Sequence, residues 1–161
     1  MDKLNKNNTL LLVFFISIIA LISAYFIEYI LGHQPCNLCL IERIPYALSI
    51  IIIFLIYKFK QFEKILIMLL ILVFVFSFIV SIYHFGIEQG YIKESLVCDL
   101  QNGSKILSKD ELLKELQKKT VSCKDVTFKL FGLSLTTFNI FISLLITGIL
   151  AKNFLNYEKN K

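Results

Sequence analysis

Tryptophan is absent from the chain, so no belt of indoles can mark a membrane interface, and anchoring there falls to fifteen Phe and seven Tyr. Histidine is scarce: His33 and His84 are the two copies. Only His33 stands near a cysteine pair in ligand spacing, so no metal is expected. No internal repeat and no low-complexity tract occurs. A soluble basic face is missing too. The formal charge of +5 comes from lysines beside apolar runs, which speaks against nucleic acid as a partner.

What the chain has in abundance is apolar surface. Of its 161 residues 57% are hydrophobic, and the mean hydropathy is +0.72. A soluble domain of this size would leave roughly a third of its unfolded-chain surface exposed, so a membrane protein is the economical reading. Leu10 to Leu31 is apolar apart from Ser17, Ser23 and Glu28. At about 1.5 Å per residue it covers the roughly 30 Å hydrocarbon core. A signal peptide would have a shorter apolar region ending in a small-x-small site, so this run is read as a retained span. The second span runs from Leu40 or Ile44 to Tyr57, because Pro45 suits a first helical turn and biases Ile44 away from helix. Ile65 to Tyr83 and Leu130 to Leu150 supply the third and fourth. The expected fold is an all-α membrane protein, a four-helix transmembrane bundle forming one domain over residues 1–161, with redox loops at about 32–43 and 84–129.

Four spans place both termini on one side. The N-terminus, the turn at 58–64 and the tail carry eight Lys in about 30 residues, against nine Lys and Arg balanced by nine Asp and Glu in the longer opposite segments. That density puts the termini in the cytoplasm and all four cysteines on the outer side, where disulfides persist. In the second outer loop, Leu107-Ser108-Lys109-Asp110-Glu111-Leu112 fits a capping box with a hydrophobic staple. Leu112, Leu113 and Leu116 then stripe a short surface helix, which lies on the membrane, covers the other loop, or is simply solvated.

The chemistry centres on Cys36 and Cys39, a Cys-x-x-Cys pair in a polar break between two apolar runs. Two thiols this close exchange a disulfide with little backbone movement, and a helix N-terminus there would favour thiolate. Half a zinc site has the same spacing. Arg43 lies one turn beyond Cys39, placed to stabilise a thiolate or a carrier's oxygen, or to snorkel to the headgroups. Glu28, near the outer end of the first span, is either its partner or a solvated helix end. His84 reads as a proton carrier or as a satisfied interfacial histidine. Cys98 and Cys123 are 25 apart, and form either a structural staple or a mobile redox pair; four cysteines allow three pairings.

Pro35-Cys36-Asn37-Leu38-Cys39-Leu40-Ile41-Glu42-Arg43 resembles the Pro-Cys-x-Leu-Cys-x-x-Gln/Glu-Arg signature of the DsbB family of bacterial disulfide-bond formation proteins. The likeness extends to Tyr83-His84-Phe85-Gly86-Ile87-Glu88, to Cys98-Asp99, and to Cys123 followed by Phe131-Gly132-Leu133-Ser134. It implies a quinone-coupled thiol oxidase of the bacterial inner membrane, with cysteine loops in the periplasm. Cys98 and Cys123 would oxidise a periplasmic thioredoxin-fold protein of the DsbA type, Cys98 forming the mixed disulfide. Cys123 would exchange with Cys36. Cys39 would pass electrons to the quinone, ubiquinone or menaquinone, held by Arg43. The partners implied are that protein and membrane lipid. The rivals are a relative with a dedicated client or reversed electron flow, and a membrane scaffold with structural disulfides or a zinc site.

Overall fold

The computed structural model describes residues 3–93, 123, 129–130 and 133–159. Four long helices dominate: α1 (Lys3–Tyr29), α2 (Asn37–Lys58), α3 (Glu63–Glu88) and α4 (Leu135–Lys159). A short 3₁₀ turn at Lys60–Phe62 joins α2 to α3. Each long helix contains a stretch apolar enough to cross a membrane: Asn7–Tyr29, Asn37–Lys58, Lys60–Glu88 and Leu135–Leu155. The protein is a membrane helical bundle.

Packing follows chain order. α1 lies against α2, α2 against α3, and α3 against α4, with a lighter contact between α1 and α4. Leu10, Val13, Ile52, Ile56, Leu70, Phe74 and Ile146 fill the apolar half of the core. Phe15, Ile22, Phe54, Leu72, Phe76 and Leu145 point outward, as lipid contact requires. Where water gives no hydrophobic drive between helices, small polar residues join them. Ser17 meets Ser49 at 2.7 Å, Ser77 meets Ser143 at 3.0 Å, and Asn139 Nδ2 donates to Ser81 Oγ at 2.8 Å. Tyr46 donates its hydroxyl proton to Asn139 Oδ1.

The two ends of the bundle differ. Asn153 Nδ2 donates to Thr9 Oγ1 at 2.6 Å, and the Lys64 ammonium lies 5.8 Å from the Phe154 ring centre. The chain ends and the basic turn therefore share one end, as the four-span reading requires. Cys36, Cys123, His84 and Thr136 gather at the other.

Three boundaries differ from the sequence expectation. α2 begins at Asn37, ahead of both Leu40 and Ile44, and Pro45 sits inside it, fully buried. Cys36 is the cap: its backbone is extended, and its Sγ accepts the Cys39 N–H at 3.2 Å. That cap and the burial of Pro45 against neighbouring helices outweigh the local bias on Ile44. α3 runs past Tyr83 to Glu88, so His84 to Glu88 are helical, not the start of a loop. It ends where Gly90, at φ +76°, takes the left-handed conformation that glycine tolerates, and Gly90 N–H bonds to Ile87 O at 3.0 Å. The fourth span does not start at Leu130. Strands β1 (Lys129–Leu130) and β2 (Leu133–Ser134) pair antiparallel, Lys129 with Ser134 and Leu130 with Leu133. Ser134 then caps α4, its Oγ accepting the Thr137 N–H at 3.3 Å. The apolar run through Leu130 and Leu133 hides this hairpin from hydropathy. The surface helix expected at 108–116 lies outside the described residues, as does Cys98.

Candidate functional site

Gly32, at φ +73°, turns the chain out of α1, and His33 N–H bonds back to Ile27 O at 3.2 Å. The following Pro35 and the Cys36 cap lead straight into α2, which sets Cys36 at the helix's positive end. Cys36 is 5% exposed, and Cys39 lies part-buried one turn on. Both are free thiols, whereas Cys123 is disulfide-bonded. Cys123, 2% exposed, packs in one cluster with Cys36, Leu38 and Ile87, flanked by Cys39 and Tyr83.

His84 is the hub on α3. It is 1% exposed, with Nε2 lying 3.5 Å from Cys36 Sγ and Nδ1 lying 3.0 Å from Glu42 Oε1. A carboxylate on Nδ1 fixes the ring and aims Nε2 at the sulfur. His84 is thus buried and hydrogen-bonded on both ring nitrogens. Thr136 on α4 donates to Glu88 Oε1 at 2.6 Å and sits 3.3 Å from His84 Nδ1. Glu88 Oε2 is buried and has no hydrogen-bond partner among the described residues.

Arg43 points inward. Its Nη1 donates to Glu28 Oε2 at 2.5 Å, and its guanidinium carbon lies 5.1 Å from the centre of the Tyr25 ring. With Arg43 and Glu28 side chains 15% and 21% exposed, the guanidinium is held by its ion pair. Arg43, Cys39, Cys36, His84, Glu88 and Cys123 all border one cavity of about 390 Å³. Its remaining wall is largely apolar, with Ile19, Ala20, Ala24 and Ile27 from α1 facing Phe138 and Ile142 from α4.

The Cys36 thiol is pushed down from 9.0 to about 5. The hydrogen bond from the Cys39 side chain does most of this, and His84 and the Cys39 backbone N–H add to it, against a burial effect that raises it. A lowered pKa leaves the thiolate dominant at every pH above it. Alkylation of Cys36 in the reduced protein should therefore stay constant across neutral pH and fall as pH drops through about 5. Mass-spectrometric rates with a small iodoacetyl reagent check this; a midpoint near 9 would remove the thiolate.

The structure thus brings together Cys36, Cys39, Arg43 and Cys123 from the sequence expectation, and pairs Glu28 with Arg43. Sequence reasoning met Glu42 and Glu88 only within the family motif and gave them no role, and it did not single out Thr136 or Asn139. The i,i+4 spacing of His84 and Glu88 on one helix was an available signal for Glu88 alone.

Comparison with known proteins accords with this arrangement. No solved structure matches the chain. An uncharacterised protein of Rickettsia prowazekii (strain Madrid E) is 31% identical over 133 residues, covering 80% of this chain and 76% of that protein. The family profile described as disulfide bond formation protein DsbB matches residues 6–152, from the first membrane helix into the last. With paired thiols at the mouth of a four-helix membrane bundle and that match over nearly its whole length, the chain belongs to the DsbB family of disulfide bond formation proteins.

Proposed function

We propose that the protein is a quinone-dependent thiol oxidase of the bacterial inner membrane. It reoxidises a DsbA-type dithiol protein in the periplasm, with its termini in the cytoplasm. The observation that carries this reading is the placement of Cys36: it shares a buried cluster with Cys123 and borders a largely apolar cavity. Electrons arriving at Cys123 have a short route to Cys36, and the cavity supplies room for a lipid-soluble acceptor beside Cys39.

The cavity suits a quinone by its own chemistry. Isoleucine and alanine side chains offer an apolar wall for an isoprenoid chain, and Arg43 offers remaining N–H donors for a ring oxygen. The unpartnered Glu88 Oε2 can accept a hydroxyl proton there. A bound quinone would supply a two-electron, two-proton acceptor.

The relay runs as follows. The partner's thiolate attacks Cys98 in a Cys98–Cys123 disulfide, forming a mixed disulfide and releasing Cys123 as thiolate. The partner's second thiol resolves that bond and leaves oxidised. Cys123 attacks Cys36 in a Cys36–Cys39 disulfide, and Cys39 departs as thiolate. Attack by Cys98 on Cys36–Cys123 restores the loop disulfide and leaves Cys36 and Cys39 reduced, the state of these two thiols in the structure. Re-forming their bond releases two electrons and two protons. His84 Nε2, 3.5 Å from the Cys36 sulfur and oriented by Glu42, is placed to hold one of these protons.

The test is optical: reduced DsbA-type protein, ubiquinone or menaquinone, and purified protein in detergent. Catalytic loss of the oxidised-quinone absorbance is expected, and absence of loss with either quinone overturns the reading. Arg43→Ala should raise the quinone KM about tenfold to a hundredfold, the worth of one charge-assisted hydrogen bond of roughly 1.5–3 kcal/mol. An unchanged KM would return Arg43 to a structural partner of Glu28.

A further inference from the structure

The spacing of residues along the chain points away from a metal, because His84 lies 48 positions from Cys36. The fold removes that separation. Cys36 Sγ, Cys39 Sγ and a ring nitrogen of His84 all lie within 4.8 Å of one another. Two thiolates and an imidazole are the donors that thiophilic cations prefer.

The detailed geometry is closer than proximity alone. Zinc–sulfur bonds of about 2.3 Å and zinc–nitrogen bonds of about 2.0–2.1 Å at a tetrahedral angle require sulfur and nitrogen to stand about 3.5 Å apart. Cys36 Sγ and His84 Nε2 are 3.5 Å apart. Glu42 Oε1, 3.0 Å from Nδ1, occupies the position of the carboxylate that orients a metal-binding histidine and leaves Nε2 free to ligate. The Cys39 N–H, directed at Cys36 Sγ at 3.2 Å, stabilises sulfur in its anionic, ligating form.

We propose that the reduced Cys36–Cys39 pair and His84 form a binding site for one thiophilic divalent cation of the zinc type, with the fourth position left to water. In the metal-bound state both sulfurs donate lone pairs to the ion, so they cannot join as a disulfide. Occupancy and oxidation of this pair are mutually exclusive. The cation therefore acts as a reversible block on the dithiol, set only when the pair is reduced. This site does not depend on the quinone reading, since its ligands are the thiols and the imidazole themselves.

The experiment uses full-length protein in detergent carrying Cys98→Ser and Cys123→Ser, so that Cys36 and Cys39 are the only thiols. After reduction and removal of reductant, the protein is titrated with Co²⁺ and then challenged with Zn²⁺. One equivalent of Co²⁺ should bind, with thiolate-to-cobalt charge-transfer absorbance and tetrahedral ligand-field bands, and Zn²⁺ should displace it. The same protein with Cys36 and Cys39 oxidised should show no such bands. Glu42→Gln should weaken binding about 10- to 100-fold, as loss of an orienting carboxylate does. His84→Ala, or His84→Gln where the alanine variant fails to fold, should weaken it at least as much and change the ligand-field spectrum. Zn²⁺ should also protect both thiols from alkylation. No thiolate–cobalt band in the reduced protein would overturn the site. Unchanged affinity and spectrum on loss of His84 would overturn it as well. No partner protein or quinone is present, so failure here leaves the oxidase reading to its own test.

Discussion

Cys36→Ser and Cys39→Ser should each abolish quinone reduction by the partner dithiol, lowering turnover by at least about three orders of magnitude, the scale seen when a covalent nucleophile is removed. The two variants fail for different reasons. In the proposed relay Cys36 receives the exchange from Cys123, with which it shares a buried cluster, and serine cannot form the mixed disulfide. Cys39 borders the cavity that Arg43 also lines, and without it Cys36 has no thiol with which to close a disulfide. Stopped-flow absorbance of the quinone checks both. Turnover within tenfold of the wild type in either variant would contradict the assignment.

The second large effect falls on the other pair. Cys98→Ser or Cys123→Ser should bring oxidation of the partner to background while leaving quinone binding at its wild-type affinity. The reason is separation of tasks. Cys123 shares the Cys36 cluster and contributes a single side chain to the cavity lining, whose walls come mainly from α1, α2 and α4. Partner oxidation and quinone affinity measured on the same preparations check this. Near-normal turnover in Cys98→Ser would overturn the relay order, and a lost quinone affinity would show that the outer pair shapes the cavity.

The parts of this arrangement that were legible in the sequence are those written locally. Runs of some twenty apolar residues specify spans, and Cys36-x-x-Cys39 with Arg43 one turn on specifies a thiol pair beside a cation. The Glu28–Arg43 contact was one of two readings the sequence left open, since both residues sit at the outer ends of adjacent spans. What could not be read is the network around His84. Glu42 is 42 positions from His84, and Thr136 is 52, so these contacts exist only once α2, α3 and α4 pack. Two of the three shifted boundaries have a local cause. Cys36 caps α2 through its sulfur, a role usually taken by Ser, Thr, Asp or Asn, and Leu130 and Leu133 look like membrane residues while forming a hairpin. In that hairpin, Ser134 with Thr137 three positions on was the available sign that α4 starts later.

The central claim is that this chain's own cysteines deliver electrons to a quinone, the inner pair directly and the outer pair through it. The most direct measurement mixes fully reduced protein with excess quinone, anaerobically and without any partner, and counts quinone consumed. Four thiols hold two electron pairs. The account predicts two equivalents consumed by the wild type, one by the Cys98→Ser/Cys123→Ser protein, and none by Cys36→Ser/Cys39→Ser. Quinone reduction persisting in that last variant, or absent when only Cys36 and Cys39 remain, would contradict it.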